Sequence, residues 1–434
     1  MTRIEQLYEH YHRHPIISTD SRTVAVGSIF FALKGDSFNG NTYAGGALNS
    51  GATLAVVDEP DIVTDDRFFL VDDVLATLQE LAKIHRSLFQ GQVIGITGTN
   101  GKTTTKELIN AVLSAGYQTH ATQGNLNNHI GVPLTILSAD PNTEILIIEM
   151  GANHPGEIAF LCDIARPDYG LITNVGKAHL EGFGSLEGVI KTKTELYDFL
   201  KANDGSAFVC SGQTVLMHHA AYLNHLSYGK EVGDYCMGEM VTSDPFLIVK
   251  WYSNEAIQEI HTHLVGAYNV DNVLAAVCLG KFFGVQAEKI IAAIESYVPS
   301  NNRSQVLQSA SNQLILDAYN ANPSSMRVAL ENFALMNTFP KVVILGDMFE
   351  LGEESRSEHE VILTLLKDFS FSDVLLIGPR FGEVSSGSGF HCFASTNDAF
   401  EWLVANPINN SSILVKGSRG MKLEKLIPAL YDKL

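Results

Sequence analysis

The run Gly95-Ile96-Thr97-Gly98-Thr99-Asn100-Gly101-Lys102-Thr103-Thr104 gathers glycines, a lysine and hydroxyls within ten residues. Glycine lets a backbone fold tightly enough to aim several N–H groups inward, and a helix that follows adds its positive end. Lys102 can then bridge terminal phosphates and the Thr103 hydroxyl can reach Mg²⁺, which is the chemistry of a nucleotide phosphate loop. Gly98, Thr99, Asn100, Gly101 and Thr104 complete the cradle. The run departs from the general GxxxxGK[ST] pattern: Ile96 stands five residues before Gly101, and glycines sit at 95 and 98. Alone it specifies ATP or GTP and nothing about where the phosphate goes.

Three further places could join that chemistry. Glu149 ends the apolar run EILIIE, where an acid could hold a cation or stand as a solvated strand end. His179 follows the run YGLITN, at the end of a strand where α/β sheets bind ligands, and a neutral imidazole can ligate a metal. It could equally be an ordinary polar loop residue. Lys191-Thr192-Lys193-Thr194-Glu195-Leu196-Tyr197 reads, on residue types alone, as the solvated face of a helix.

These residues need elements to hold them. Gln92–Thr97 is a short apolar strand ahead of the glycine loop, and KTTTKELINAVLSAG after it has helical spacing. Glu144–Glu149 and Tyr169–Asn174 are further strands with helical pattern between them, the signature of a mostly parallel α/β sheet. Ahead of this unit lie strand candidates at Ser28–Leu33 and Thr53–Val57 and a helix over Val74–Phe89. Ala207–Tyr252 reads as a β-rich insertion, followed by helices over Asn269–Phe283 and Gln286–Tyr297. Beyond Pro299–Arg303 come strands at Gln313–Asp317, Lys341–Leu345, Asp373–Ile377 and Ser412–Lys416. Three units are expected, at 1–87, 88–299 and 300–434.

Composition sets the setting. Of 434 residues 45% are hydrophobic, enough for large cores without staples. The net charge of −19 argues against nucleic acid or an anionic membrane as partner, so any anionic ligand must meet local cations, backbone N–H groups or metal ions. Five scattered cysteines without a CxxC pair suggest neither a zinc cage nor a disulfide framework, and fit a reduced cytoplasm. The charged start MTRIEQLYEHYHRHP is unlike a signal peptide, and no apolar run approaches a membrane span.

The chain resembles the Mur ligase family. The segments that carry the likeness are DSR at 20–22, GTNGKTT at 98–104, NLNNHIGVP at 125–133 and EMGANHPGEI at 149–158. ITNVGKAHLEGFGS at 172–185, DAYNANP at 317–323, LGDMFELG at 345–352 and VKGSRGMKLE at 415–424 complete the set, which spans nearly the whole chain. GTNGKT is shared with folylpolyglutamate synthases, whereas NLNN, EMGAN, AHLEGFGS and DAYNANP point to the branch that adds D-Ala-D-Ala to a UDP-MurNAc-tripeptide.

The resemblance implies an α/β protein of three domains: an N-terminal UDP-substrate domain, a central P-loop ATPase domain with a mostly parallel sheet, and a C-terminal Rossmann-like domain. It implies an amide ligation in which ATP activates a carboxylate as an acyl phosphate and yields ADP and phosphate. It further implies two Mg²⁺ ions, one served by Thr103 and Glu149, the other by His179 and a CO₂-derived carbamate on Lys193. Family spacing to Tyr197 selects Lys193 over Lys191. With Lys102, these three residues (Glu149, His179 and Lys193) form the implied catalytic set. Asn269, Asn272, Arg303 and Asp317 would hold the nucleotide, and Asn127 and Asn128 would lie near its terminal phosphate or the tripeptide end. Tyr319, Asn320 and Asn322 would line the nucleotide or acceptor site, and Lys416, Ser418 and Arg419 would meet the dipeptide carboxylate. Ser21, Arg22 and Lys34 would meet the UDP moiety. A cytoplasmic monomer acting on small molecules is implied.

Tyr268, Asn41 and Ala318 depart from the residues common in that branch, and none is an implied metal ligand. Other readings are another ligase on the same scaffold, a P-loop regulatory ATPase, or a binding module that has lost catalysis. The absence of a DNPR segment speaks against a diamino-acid ligase. Retention of Lys102, Thr103, Glu149, His179 and Lys193 speaks against lost catalysis.

Overall fold

The computed structural model describes residues 2–253, 256–300, 302–338 and 340–431. Its strands form three main sheets in chain order. The first holds β1 (Ile17–Ser18), β2 (Ile29–Phe31), β5 (Leu54–Val57) and β6 (Phe68–Leu70), all parallel, with a hairpin of β3 (Lys34–Gly35) and β4 (Phe38–Asn39) beside it. The short strands β1 and β6 and the helix Arg3–Arg13 add to the elements expected from the sequence; in that helix Ile4, Leu7, Tyr8 and Tyr11 recur at helical spacing, with Leu7 and Tyr11 buried. A capping box between Thr2 and Glu5 starts that helix.

The central sheet has nine strands: β7 (Gln92–Thr97), β8 (Thr119–Ala121), β9 (Ile145–Glu149), β10 (Tyr169–Ile172), β11 (Ser206–Cys210), β12 (Asn224–Gly229), β13 (Cys236–Ser243), β14 (Phe246–Tyr252) and β15 (Ile257–Val265). Their order is β15-β14-β13-β12-β11-β10-β7-β9-β8, parallel from β8 through β13 and antiparallel beyond. The stretch read as a β-rich insertion is therefore the far half of this same sheet. Cys210 pairs with Tyr228 and Tyr228 with Cys236, so hydrogen bonding runs on without a break. Helices are sparse in that stretch, and only the pairing reveals that its strands extend the sheet.

Parallel strands covered on both faces need apolar residues on both. Val93, Leu146 and Ile148 enter one core, while their neighbours Ile94, Ile145 and Ile147 enter the other. On the second face the helix Lys102–Ser114 packs with Val270–Phe282, which is buried from Asn272 through Gly280. On the first face Leu78 and Leu81 of the helix Val74–Leu88 share one core with Val132, Ile136 and Leu161. The Tyr11 hydroxyl donates to the Leu137 carbonyl at 2.6 Å. The first sheet is thus joined to the central one by continuous packing.

The last sheet holds β16 (Gln305–Gln308), β17 (Asn312–Asp317), β18 (Lys341–Gly346), β19 (Asp373–Ile377), β20 (His391–Phe393) and β21 (Ser411–Lys416), in the order β16-β17-β21-β18-β19-β20. Only the edge strand β16 is antiparallel. The architecture is three-domain α/β, with a phosphate loop in the central sheet and a Rossmann-like open sheet at the C-terminal end. No helix among the described residues is long and apolar enough to cross a membrane.

Candidate active site

The glycine loop leaves β7 and enters the helix Lys102–Ser114. Gly98 has φ +140° and lies against the Thr173 side chain, and Gly101 has φ +79° with the Asn272 amide beside it. Side chains at either position would be strained and would collide. Asn174 ties the loop down: its carbonyl accepts from Thr99 N at 2.9 Å and its Oδ1 from Asn100 N at 3.0 Å. Gly101 caps the helix without a side-chain acceptor, so the N–H groups of the first turn remain available to an anion. Lys102 folds back over the loop, donating to the carbonyls of Gly98 at 2.7 Å and Thr99 at 3.0 Å. Burial pushes its ammonium down to about 8. Thr103 is buried at the same helix start.

Glu149 ends β9 opposite Ile96 of β7. It is 1% exposed, so the solvated strand end is excluded. Its Oε1 accepts from Asn127 Nδ2 at 2.8 Å, while its buried Oε2 has no hydrogen-bond partner among the described residues. A carboxylate oxygen left so is costly, and a cation beside it would remove the cost. Among the described residues no three His, Cys, Asp or Glu side chains form a cation cage. Mg²⁺ held mainly by phosphate oxygens and water needs only one or two protein ligands.

His179 lines the same cleft in a left-handed backbone conformation, φ +50°, with Nδ1 against the Glu350 carboxylate of the C-terminal domain. The neighbouring imidazole holds the Glu350 carboxyl below its ordinary range. Lys193 corrects the reading of 191–197 as a solvated face: Thr192, Lys193, Thr194, Leu196 and Tyr197 are buried, and only Lys191 and the half-buried Glu195 face outward. Lys193 is 2% exposed, its Nζ lying 3.4 Å from the Ala152 carbonyl and 5.3 Å from the centre of the Phe183 ring. Burial first, and the nearby Lys102 charge second, push its amine down to about 7.

The C-terminal sheet supplies the opposite wall. Asp317 and Lys416 end adjacent strands in register and pair at 2.5 Å, with Lys416 only 1% exposed. The guanidinium of Arg303 lies 3.5 Å and that of Arg419 4.7 Å from the centre of the Tyr319 ring. Ser304 N donates to Asp317, and the Tyr268 hydroxyl bonds to Ser304 Oγ at 2.9 Å. Asn322 caps the helix Pro323–Leu335 through its Oδ1, and its Nδ2 donates across the cleft to Asn100 Oδ1 at 2.8 Å. The Asn320 side chain accepts from Ala321 N.

The cleft between these walls encloses about 790 Å³. It is lined by Thr99 through Thr104, Asn127, Asn128, Glu149, His179, Asn269, Asn272, Arg303, Asp317, Tyr319, Asn320, Asn322 and Lys416. Gly98 and Lys193 stand just behind that lining, through Lys102 and Ala152 respectively. Several of these amides are already committed. Asn128 Oδ1 accepts from Ile130 and Gly131 N–H and caps the turn into Gly131–Leu137. Asn272 accepts from Thr105 and donates to Asn269, which donates to the Val265 carbonyl, so the pair fastens the phosphate-loop helix to Val270–Phe282.

Five further expected residues lie off the lining. Ser418 is buried and accepts from Phe349 N at 2.9 Å, and Arg419 is exposed beside Tyr319. Ser21 and Arg22 follow β1, where Arg22 pairs with Asp20 at 2.6 Å in the open. Lys34 pairs with Asp58 at 2.9 Å and Glu59 at 3.3 Å. Asn41 is buried against that same Asp58. The cleft also takes in Asn153, His154, Gln213 and Asp271, which residue types alone do not single out. The first two stand in the matched run at 149–158, with their N–H groups held by Glu157.

Comparison with known proteins adds family and relatives. Residues 14–96 match the model for the Mur ligase family catalytic domain, 96–280 the Mur ligase middle domain, and 302–419 the Mur ligase glutamate ligase domain. The UDP-N-acetylmuramoyl-tripeptide–D-alanyl-D-alanine ligase of Bacillus subtilis (strain 168) is 33% identical over 430 residues, covering 96% of this chain and 93% of its own. A crystal structure of MurF from Acinetobacter baumannii superposes with a TM-score of 0.87 at 29% identity, covering 99% of this chain and 97% of that one. A structure of MurF from Thermotoga maritima in complex with ADP gives 0.84 at 28% identity, covering 95% and 96%.

Proposed function

This chain belongs to the Mur ligase family, and from that premise we propose that it joins D-alanyl-D-alanine to a UDP-MurNAc-tripeptide at the expense of ATP, in peptidoglycan precursor synthesis. The observation that carries the reading is the cleft itself. A phosphate loop with a buried lysine, a buried carboxylate with one unpartnered oxygen and a buried lysine of depressed pKa meet there under a wall from another domain.

A carboxylate is a poor acyl donor until its oxygen attacks the ATP γ-phosphorus and ADP departs. The acyl phosphate then takes the dipeptide amine at its carbonyl carbon, phosphate leaves, and the new amide nitrogen gives up a proton. The first step brings an anion against a polyphosphate on a chain of net charge −19, so positive charge must be concentrated locally. Lys102 and the free N–H groups of the helix start bind and orient the phosphates. Thr103 and Glu149 would hold one Mg²⁺, and His179 with Lys193 as a carbamate a second. Such ions, when bound, supply charge neutralisation at the transferring phosphoryl group. Lys193 suits the carbamate role because its buried amine is substantially uncharged near neutral pH, the form that adds CO₂. Asn127 fixes the Glu149 carboxylate by holding Oε1.

From the far wall Arg303 and Asp317 would meet the nucleotide, Tyr319, Asn320 and Asn322 would line the nucleotide or acceptor site, and Lys416 would meet the acceptor; all six line the cleft. Arg419 and Ser418 serve the acceptor through Tyr319 and the neighbouring loop. Asn269 and Asn272 reach the base through N–H groups not used in their mutual bond. Ser21, Arg22 and Lys34 bind the UDP end on the first domain, with functional parts dividing near 87–88 and 299–300. The chain works as a cytoplasmic monomer.

The test is phosphate release with ATP and Mg²⁺, given UDP-MurNAc-tripeptide, D-Ala-D-Ala, or both, with mass spectrometry of the product. Steady release and a UDP-MurNAc-pentapeptide only with both substrates is the expected result. Release independent of both would replace the ligase by a regulatory ATPase. Activity with a folate and glutamate instead would keep the scaffold and overturn the specificity.

A further inference from the structure

The run LGDMFELG at 345–352 has no part in the chemistry above, yet the structure builds it with unusual care. Asp347 is fully buried and accepts from the N–H groups of Arg380 and Phe381, both at 2.9 Å. Met348 N donates to Nε2 of the buried His359 at 3.1 Å, and Phe349 N to Ser418 Oγ at 2.9 Å. Ser418 N in turn donates to the Asp347 carbonyl at 3.1 Å. Three successive residues are thereby fixed, and the fourth, Glu350, is presented across the cleft to His179. Glu350 has φ +62° and His179 φ +50°. Two non-glycine residues in the left-handed region facing each other is the kind of local strain that surrounding structure must hold in place. Flanking contacts do so: Glu181 N donates to the Glu350 carbonyl at 3.4 Å, and Lys177 pairs with Glu358 at 2.7 Å.

We propose that Glu350 is a positioning residue for His179, accepting a hydrogen bond from Nδ1–H so that Nε2 is the nitrogen left with a free lone pair in the cleft. A neutral imidazole has one donor and one acceptor nitrogen, and the partner of one decides the role of the other. Nδ1 is buried, and the Glu350 carboxylate is the polar group it meets. Because Glu350 belongs to the C-terminal domain and His179 to the central one, the imidazole is set for its role only when the two walls are together. The inference rests on the ligase reading for what His179 does, but not for the contact itself.

The experiment uses the full chain labelled with ¹⁵N-histidine and no nucleotide, the His179 signal being assigned with a His179→Gln variant. The wild type should show His179 protonated at Nδ1, and Glu350→Ala should show a tautomer mixture. In turnover Glu350→Ala should lower kcat about 10–100-fold with KM for ATP within about threefold. Glu350→Gln keeps an acceptor oxygen and should restore the tautomer and bring kcat to within about fivefold of wild type. Glu354→Ala, which removes a neighbouring charge from the same seam without touching His179, should match wild type in both measurements. An unmoved His179 signal in Glu350→Ala, or equal losses in Glu350→Ala and Glu354→Ala, overturns the proposal. Absence of ligation in the wild type would overturn the ligase reading instead, and the tautomer result would stand apart from it.

Discussion

The phosphate loop and the seam between the central and C-terminal domains face each other across one cleft, yet they are assembled in opposite ways. In the loop Lys102 bonds to carbonyls three and four residues earlier. Across the seam, Asn322 reaches Asn100, Lys177 reaches Glu358, and His179 meets Glu350, partners more than 150 residues apart. Local geometry makes a phosphate site that exists whatever the other domain does. The groups that would finish the chemistry are set only where the two domains touch. Positioning the transferred phosphoryl group and enclosing it are therefore separable properties, and substitutions should separate them.

The largest effect is expected from Lys193→Ala, which should lower ligation by roughly 1,000-fold in steady-state phosphate release. Formate or acetate in the assay should restore part of it, since a small carboxylate can stand where the carbamate would; full activity without rescue would remove the carbamate. Lys191→Ala, two residues away and exposed, should change nothing. Lys102→Ala breaks the local half of the comparison and should reduce turnover by about 100-fold, with weakened nucleotide binding by calorimetry. Asn322→Ala breaks the seam half. The bond lost across the cleft, worth about 1 kcal/mol, predicts about a fivefold fall in kcat/KM with nucleotide affinity unchanged, and loss of the Oδ1 cap on Pro323–Leu335 should lower unfolding stability by about a further 1 kcal/mol. If calorimetry shows nucleotide binding falling as much as turnover, the two halves are not separable. Asn128→Ala should leave activity nearly unchanged, while loss of its Oδ1 bonds to the turn ahead of Gly131–Leu137 should lower unfolding stability by about 1 kcal/mol in a denaturant titration.

Much of this was legible in advance because it is written in short windows. The strand Gln92–Thr97, its glycine loop and the following helix agree in position with β7 and Lys102–Ser114. The strand at Asp373–Ile377 agrees residue for residue with β19. Other features depend on partners distant in sequence. Lys191 and Lys193 are chemically identical and two residues apart, and helical geometry buries one and exposes the other only because Val189, Leu196 and Tyr197 choose the packed face. Ser418 reads as a ligand donor beside Arg419, and its hydroxyl also accepts from Phe349 N, some seventy residues earlier, a contact that no local spacing shows. The far strands of the central sheet read as an insertion because strand pairing, unlike helix periodicity, leaves no local mark.

By itself the sequence determined the three-part α/β plan, the phosphate loop with its lysine and threonine, and the family. Backbone conformation and apolar period are set by residues within a turn or a strand of one another. The tertiary structure alone decided that Glu149 has a buried oxygen without a partner, that Lys193 loses its solvent, and that His179 faces Glu350. Desolvation and the pairing of distant charges depend on what packs against a group, and no spacing along the chain encodes that.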